Sequence, residues 1–158
     1  CLLDGIIMRD DATLHSLESN LFFHETTHKY WSKYFEDYNI NKNKFKLHYG
    51  SLIPFNKLDD NYKTDWGYTK DTYDYNQDIK IAPNIVIDET IDVLCLDGGH
   101  FSTQHEWNMY KDQIKVIILD DTSSSKTRHI FKEIKDSSSW EVFFYSKHRG
   151  GEFIAKKI

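Results

Sequence analysis

The chain has 158 residues, the size of one domain with a single core. Its 20 Lys plus Arg against 25 Asp plus Glu, a net charge of -5, argue against duplex nucleic acid as the main partner. Aromatic residues make up 15% and hydrophobic residues 39%, which excludes a disordered chain, and no apolar run approaches the roughly 18 residues of a membrane span. The two cysteines, Cys1 and Cys95, form no disulfide framework, so the expected setting is a reducing, cytoplasmic one.

In chain order, Leu2 to Met8 reads as the end of a helix. Thr13 to Leu17 alternates in polarity and predicts a short strand ending at Glu18. Asn20 is placed to cap a helix on which Thr27, Tyr30, Trp31, Tyr34, Phe35 and Tyr38 recur at three and four residues, the spacing of one buried face. After a polar turn at Asn39 to Asn43, Phe45 to Tyr49 predicts a second strand stopped by Gly50. Residues 54–83 carry Tyr62, Trp66, Tyr68, Tyr73 and Tyr75 with no steady period and read as an aromatic-rich insertion or lid. Asp92 to Leu96 is an apolar strand ended by Asp97-Gly98-Gly99. Thr103 and Glu106 have capping-box spacing for a helix to about Asp112. Lys115 to Leu119 is another apolar strand, ended by Asp120-Asp121. A helix from about Lys126 sets Ile130, Phe131 and Ile134 on one side, with the serine runs at 123–125 and 137–139 as flanking loops. Trp140 to Tyr145 and Phe153 to Lys157 flank the turn Arg149-Gly150-Gly151.

Alternating strands and helices predict an α/β fold over one domain, residues 1–158. Its sheet is expected to be Rossmann-like, mostly parallel, covered by helices on both faces and closed by an antiparallel β-hairpin. Cys95, inside an apolar strand, is expected to be a buried and inert core residue. In such sheets ligands lie beyond the carboxyl ends of the strands, and here those ends carry Glu18, Gly50-Ser51, Asp97 and Asp120-Asp121, so one crevice is expected to collect them. Glu18 suits the two hydroxyls of a ribose. Asp97, Asp120 and Asp121 would repel one another unless a cation sat between them, and oxygen ligands of this kind suit Mg²⁺, Ca²⁺ or Mn²⁺. His100 comes directly after the glycines, and its ordinary pKa of about 6.5 suits a general base. No zinc spacing, P-loop or Gly-x-Ser-x-Gly is present.

The stretch Ile91-Asp92-Val93-Leu94-Cys95-Leu96-Asp97-Gly98-Gly99-His100, with Val116-Ile117-Ile118-Leu119-Asp120-Asp121-Thr122 after it, resembles the fourth and fifth strands of class I S-adenosylmethionine-dependent methyltransferases. Leu14-His15-Ser16-Leu17-Glu18 resembles the second strand, whose terminal acid holds the ribose of the cofactor. Leu47-His48-Tyr49-Gly50-Ser51-Leu52 resembles the third, which puts Ser51 and Leu52 beside the adenine. The closing hairpin, Trp140 to Ile158, is similar to the last two strands. One branch of that family methylates hydroxyls of sugars and natural products with a bound divalent ion. The resemblance therefore implies Asp97, Asp120 and Asp121 as ligands of Mg²⁺ or another divalent cation, with Asp97 also in the cofactor site and His100 and Asp97 as catalytic residues. The family's first strand and glycine-rich loop have no counterpart after Cys1. The expectation is that the polypeptide begins well before Cys1, or that another segment fills the place.

The resulting expectation is a methyltransferase acting on a hydroxyl of a small molecule or sugar, with no nucleic acid and no membrane as partner. A competing reading is a non-catalytic binding or assembly module of the same fold, whose exposed sheet edges favour a homodimer. A weaker one is a nicotinamide-dependent oxidoreductase, since Glu18 alone does not separate the two cofactors.

Overall fold

The computed structural model describes residues 5, 6 and 8–158, so most of the helix end expected over Leu2 to Met8 lies outside the described residues. The chain forms two compact units. The first holds residues 1–54 and 78–86, the second residues 55–77 and 87–158. None of the described helices is long and apolar enough to cross a membrane.

In the first unit, β1 (Leu14–Glu18) and β2 (Phe45–Tyr49) pair in parallel, from Leu14 opposite Phe45 to Glu18 opposite Tyr49. Parallel pairing requires a crossover, and α1 (Leu21–Asp37) supplies it. Asn20 caps α1 as expected, its side chain accepting from the Phe23 amide at 3.0 Å and donating to Asp78 Oδ2 at 3.2 Å. The predicted helical face is only half used. Phe35 is buried against Trp31 and Phe45, with ring centroids 5.8 and 6.0 Å away, while Tyr30 and Tyr38 face solvent. A two-stranded sheet is too narrow to cover a 17-residue helix along its whole length.

The second unit is built on a four-stranded sheet of order β3-β4-β6-β5, comprising β3 (Val93–Leu96), β4 (Val116–Leu119), β5 (Trp140–Ser146) and β6 (Glu152–Lys157). Strands β3 and β4 are parallel, joined through α3 (Thr103–Tyr110). After α4 (Arg128–Lys135) the hairpin brings β6 antiparallel to both β4 and β5. Ile117 and Ala155, opposite one another on β4 and β6, are fully buried, as are Ile130 and Ile134 of α4. The amphipathic reading of α4 and the antiparallel closing hairpin are therefore both observed.

Other expectations need correcting. The fold is mixed α/β, but it carries a two-stranded parallel sheet and a four-stranded mixed sheet in place of one mostly parallel sheet. In the larger sheet only β3 and β4 run parallel, because β6 docks antiparallel on β4. Among the described residues β3 pairs only with β4, and Cys95 is exposed and not a buried core residue. Within the aromatic-rich insertion, residues 74–81 form a helix, α2 (Asp74–Ile81). The capping box at Thr103 and Glu106 does not form. Helix α3 begins one residue past Ser102, and Thr103 Oγ1 donates to the Gly99 carbonyl at 2.8 Å.

Glu106 is instead turned inward beside Gly98 and Ser102. Burial pushes its carboxyl up, and a hydrogen bond with Ser102 only partly offsets this. A carboxyl raised on folding favours the folded state at low pH, and that contribution is lost as pH rises through its folded value. Glu106→Gln should therefore raise the melting temperature at pH 8 by about 2–4 °C, the shift of ~1 kcal/mol in a chain of this size. Thermal unfolding at pH 8 and pH 4.5 checks the sign, since the gain should shrink at the lower pH. An equal gain at both would rule out titration of this carboxyl.

Candidate functional site

Leu96 and Leu119, the last residues of β3 and β4, stand opposite one another in parallel register. The two strands therefore end level, and the residues just past each are brought to the same place. These are Asp97 after β3 and Asp120-Asp121 after β4, and the Asp120 amide donates to the Leu96 carbonyl at 3.3 Å. One carboxylate oxygen from each acid lies within 4.8 Å of the others. The turn that aims them is shaped locally. Asp121 adopts a left-handed backbone, φ 56°, which aspartate tolerates better than most side chains. Asp120 Oδ1 accepts from the Asp121 amide at 2.9 Å, and Thr127 Oγ1 donates to the Asp120 carbonyl at 2.7 Å. The hairpin clamps the same loop, with the Thr122 and Ser123 amides donating to the carbonyls of Gly151 and Gly150 at 3.0 and 2.9 Å.

Lys126 enters this cluster from the turn before α4. Its side chain is only 7% exposed, and Nζ lies 2.8 Å from both Asp97 Oδ1 and Asp121 Oδ2. Burial by itself would pull the ammonium down, but the hydrogen bonds and charges of Asp121 and Asp97 outweigh it and hold the group above its ordinary value. The expected divalent ion fits the chemistry of three carboxylates but not their present engagement. Two of the three acids already share one ammonium, and Asp120 gives an oxygen to its neighbour's amide.

His100 stands in the turn between β3 and α3 and is 8% exposed. Its Nδ1 lies 3.2 Å from Ser125 Oγ. Trp66 and Tyr73 meet the imidazole edge-on, with centroids 5.2 and 5.5 Å away. Burial, and after it the charge of Lys126, holds His100 below its ordinary value. The loop carrying Ser125 is anchored by Asp65, whose Oδ2 accepts from the Ser125 amide at 2.7 Å and from Arg128 Nη2 at 3.2 Å. Asp65, Trp66 and Tyr73 of the aromatic insertion thus stand around His100 and the loop that carries Ser125, and Trp66 leaves 65% of its surface open.

Among the predicted site residues, the second unit brings together Asp97, Asp120 and Asp121, and His100 meets Ser125, next in sequence to the Lys126 that binds Asp97 and Asp121. Glu18, Ser51 and Leu52 belong to the first unit. Glu18 ends β1 half-buried, and its Oε1 accepts from the Asn20 amide at 2.8 Å, leaving its other oxygen uncommitted to that turn. The Ser51 hydroxyl closes its own turn, donating to the Ile53 carbonyl at 2.9 Å and accepting from the Ile53 amide at 3.2 Å. A hollow of about 310 Å³ in the first unit is lined by His28, Trp31, Phe35, Lys42, Phe45 and Leu47 among others, and by none of the predicted residues.

Sequence reading missed Lys126 and Asp65 as site residues, whereas Trp66 belongs to the aromatic-rich insertion it singled out. Lys126 carries one usable signal, a lone cation five residues after a pair of acids at a strand end. Asp65 carries none, because its partners lie about sixty residues away in sequence. Fold and site together define a mixed α/β protein with an acidic strand-end cluster closed by a lysine. No family model matches the chain, and no curated protein is found similar to it.

Proposed function

We propose that the protein is a Rossmann-like, S-adenosylmethionine-dependent methyltransferase acting on a hydroxyl of a small molecule or sugar. The observation that carries this reading is the meeting of Asp97, Asp120 and Asp121 at the level ends of two adjacent parallel strands, with the buried His100 in the turn that follows the first of them. It is supported by the chain order in which acids come after apolar strands, and by the hairpin that continues the same sheet.

S-adenosylmethionine, when bound, supplies a methyl group on a positively charged sulfur. The protein's part is to present an oxygen to that methyl and to remove its proton. Asp97, exposed at the mouth of the cluster, accepts a hydrogen bond from the acceptor hydroxyl and orients it. His100 would act as the general base that takes the proton of the acceptor hydroxyl when the methyl donor is bound. The open face of Trp66 offers a stacking surface for the ring of a sugar or an aromatic acceptor. By the resemblance of its strand alone, Glu18 is assigned to the ribose hydroxyls of the cofactor. No step is routed through a divalent ion, since Asp97 and Asp121 engage Lys126.

Isothermal calorimetry with S-adenosylhomocysteine tests the reading. Binding is expected, and Glu18→Ala should weaken it by about tenfold or more, the loss of hydrogen bonds to a charged group. No heat and no thermal stabilisation by S-adenosylhomocysteine would overturn the assignment.

A further inference from the structure

Three carboxylates at the ends of β3 and β4 need a compensating cation, and the chain brings one of its own. A lysine as deeply covered as Lys126 is rare unless it is paired, and this one is paired twice, at 2.8 Å to Asp97 Oδ1 and 2.8 Å to Asp121 Oδ2. The arrangement is held from several sides. The Lys126 amide donates to Ser124 Oγ at 3.2 Å, the neighbouring Ser125 amide is tied to Asp65, and Thr127 is tied to the Asp120 carbonyl. A divalent ion taking oxygens from Asp97 and Asp121 would sit about 2.0–2.6 Å from each. Such a position crowds the ammonium, and two positive charges in contact repel strongly where water is partly excluded. An ion and the Lys126 ammonium therefore compete for one seat.

We propose that Lys126 is the resident cation of this site. Its ammonium takes the place of a divalent ion, holds Asp97 and Asp121 together as a positioning residue, and keeps Mg²⁺-like ions out. The inference deepens the methyltransferase reading and rests on it for the acceptor chemistry, in which Lys126 would act through Asp97. The competition between lysine and metal is a matter of charge and geometry alone.

The test is Mn²⁺ binding to the full chain, read by electron paramagnetic resonance and by thermal unfolding, for the wild type, Lys126→Met and Lys126→Arg. The wild type should bind no Mn²⁺ up to about 1 mM, and neither Mn²⁺ nor a chelator should move its melting temperature. Lys126→Met should bind one Mn²⁺ at least about tenfold more tightly and gain about 5 °C on adding it. Lys126→Arg, which keeps the charge, should behave as the wild type. A purely structural lysine would not produce this exchange of one cation for another. If Lys126→Met does not fold, the wild type decides alone. One Mn²⁺ bound at micromolar concentration and lost in Asp120→Asn overturns the proposal, and no binding upholds it. Calorimetry with S-adenosylhomocysteine on the same wild-type sample separates the two claims. Its failure ends the methyltransferase reading and leaves the Mn²⁺ result standing, whereas Mn²⁺ binding by the wild type ends this inference and leaves that reading.

Discussion

Gly151→Ala is expected to destabilise the protein by about 3 kcal/mol, a fall in melting temperature of roughly 6–12 °C for a chain of this size. Gly151 has φ 99° and ψ 126°, a backbone region that glycine enters freely and other residues do not. A methyl group there would overlap Thr122 Oγ1 and would stand 3.5 Å from the Ser146 carbonyl. The damage would reach the acids, because the Gly151 carbonyl accepts from the Thr122 amide immediately after Asp121. Gly150 is similarly close, with a Cβ placed 2.5 Å from Asp121 Oδ1. Gly67→Ala is the control. Gly67 also has a positive φ, 80°, but nothing lies near its missing side chain, so only the backbone cost should appear there. Thermal unfolding of both variants measures the difference. A Gly151→Ala protein that melts no lower than Gly67→Ala would mean that the hairpin does not clamp the acidic loop.

Trp107→Ala should cost about 3–5 kcal/mol, the range found for removing a fully enclosed aromatic ring. Trp107 is 1% exposed on α3, and its ring lies 5.9 Å from that of Trp140 at the start of β5. Its Nε1 donates to Glu133 Oε2 at 3.0 Å, and Glu133 also meets Lys111 at 3.3 Å, so one indole joins α3, α4 and the sheet. Trp107→Phe keeps most of the apolar volume and loses the indole donor. Its cost should be nearer about 0.5–1.5 kcal/mol, the value of one hydrogen bond, since Glu133 is exposed and keeps its ion pair with Lys111. Urea unfolding distinguishes the variants through the midpoint at an unchanged slope. A Trp107→Ala cost under about 1 kcal/mol would show that the surrounding core collapses into the space.

Several elements were legible because their causes are local. Asn20 reads as a cap, and it caps. The alternation before Glu18 and the apolar runs before Asp97 and Asp120 predict strands within a residue of those observed. The amphipathic spacing of Ile130 and Ile134 and the glycine turn of the hairpin also correspond to what is seen. The acidic trio was legible for a related reason. If two parallel strands end in acids and pair level, the acids must meet, and only the pairing itself had to be supplied by the fold.

By itself, then, the sequence determined the strands, most of the helices and the chemical character of the strand ends, since capping, periodicity and turn geometry act between residues a few positions apart. Tertiary structure alone decided that the strands divide between two sheets, that Cys95 is exposed, and that Tyr30 and Tyr38 stay in solvent. It also decided that Lys126 turns back onto Asp97, twenty-nine residues earlier, and that Asp65 holds the loop on which it rides. These are contacts between distant segments, chosen by which surfaces can be buried together, and no short-range pattern along the chain records that choice.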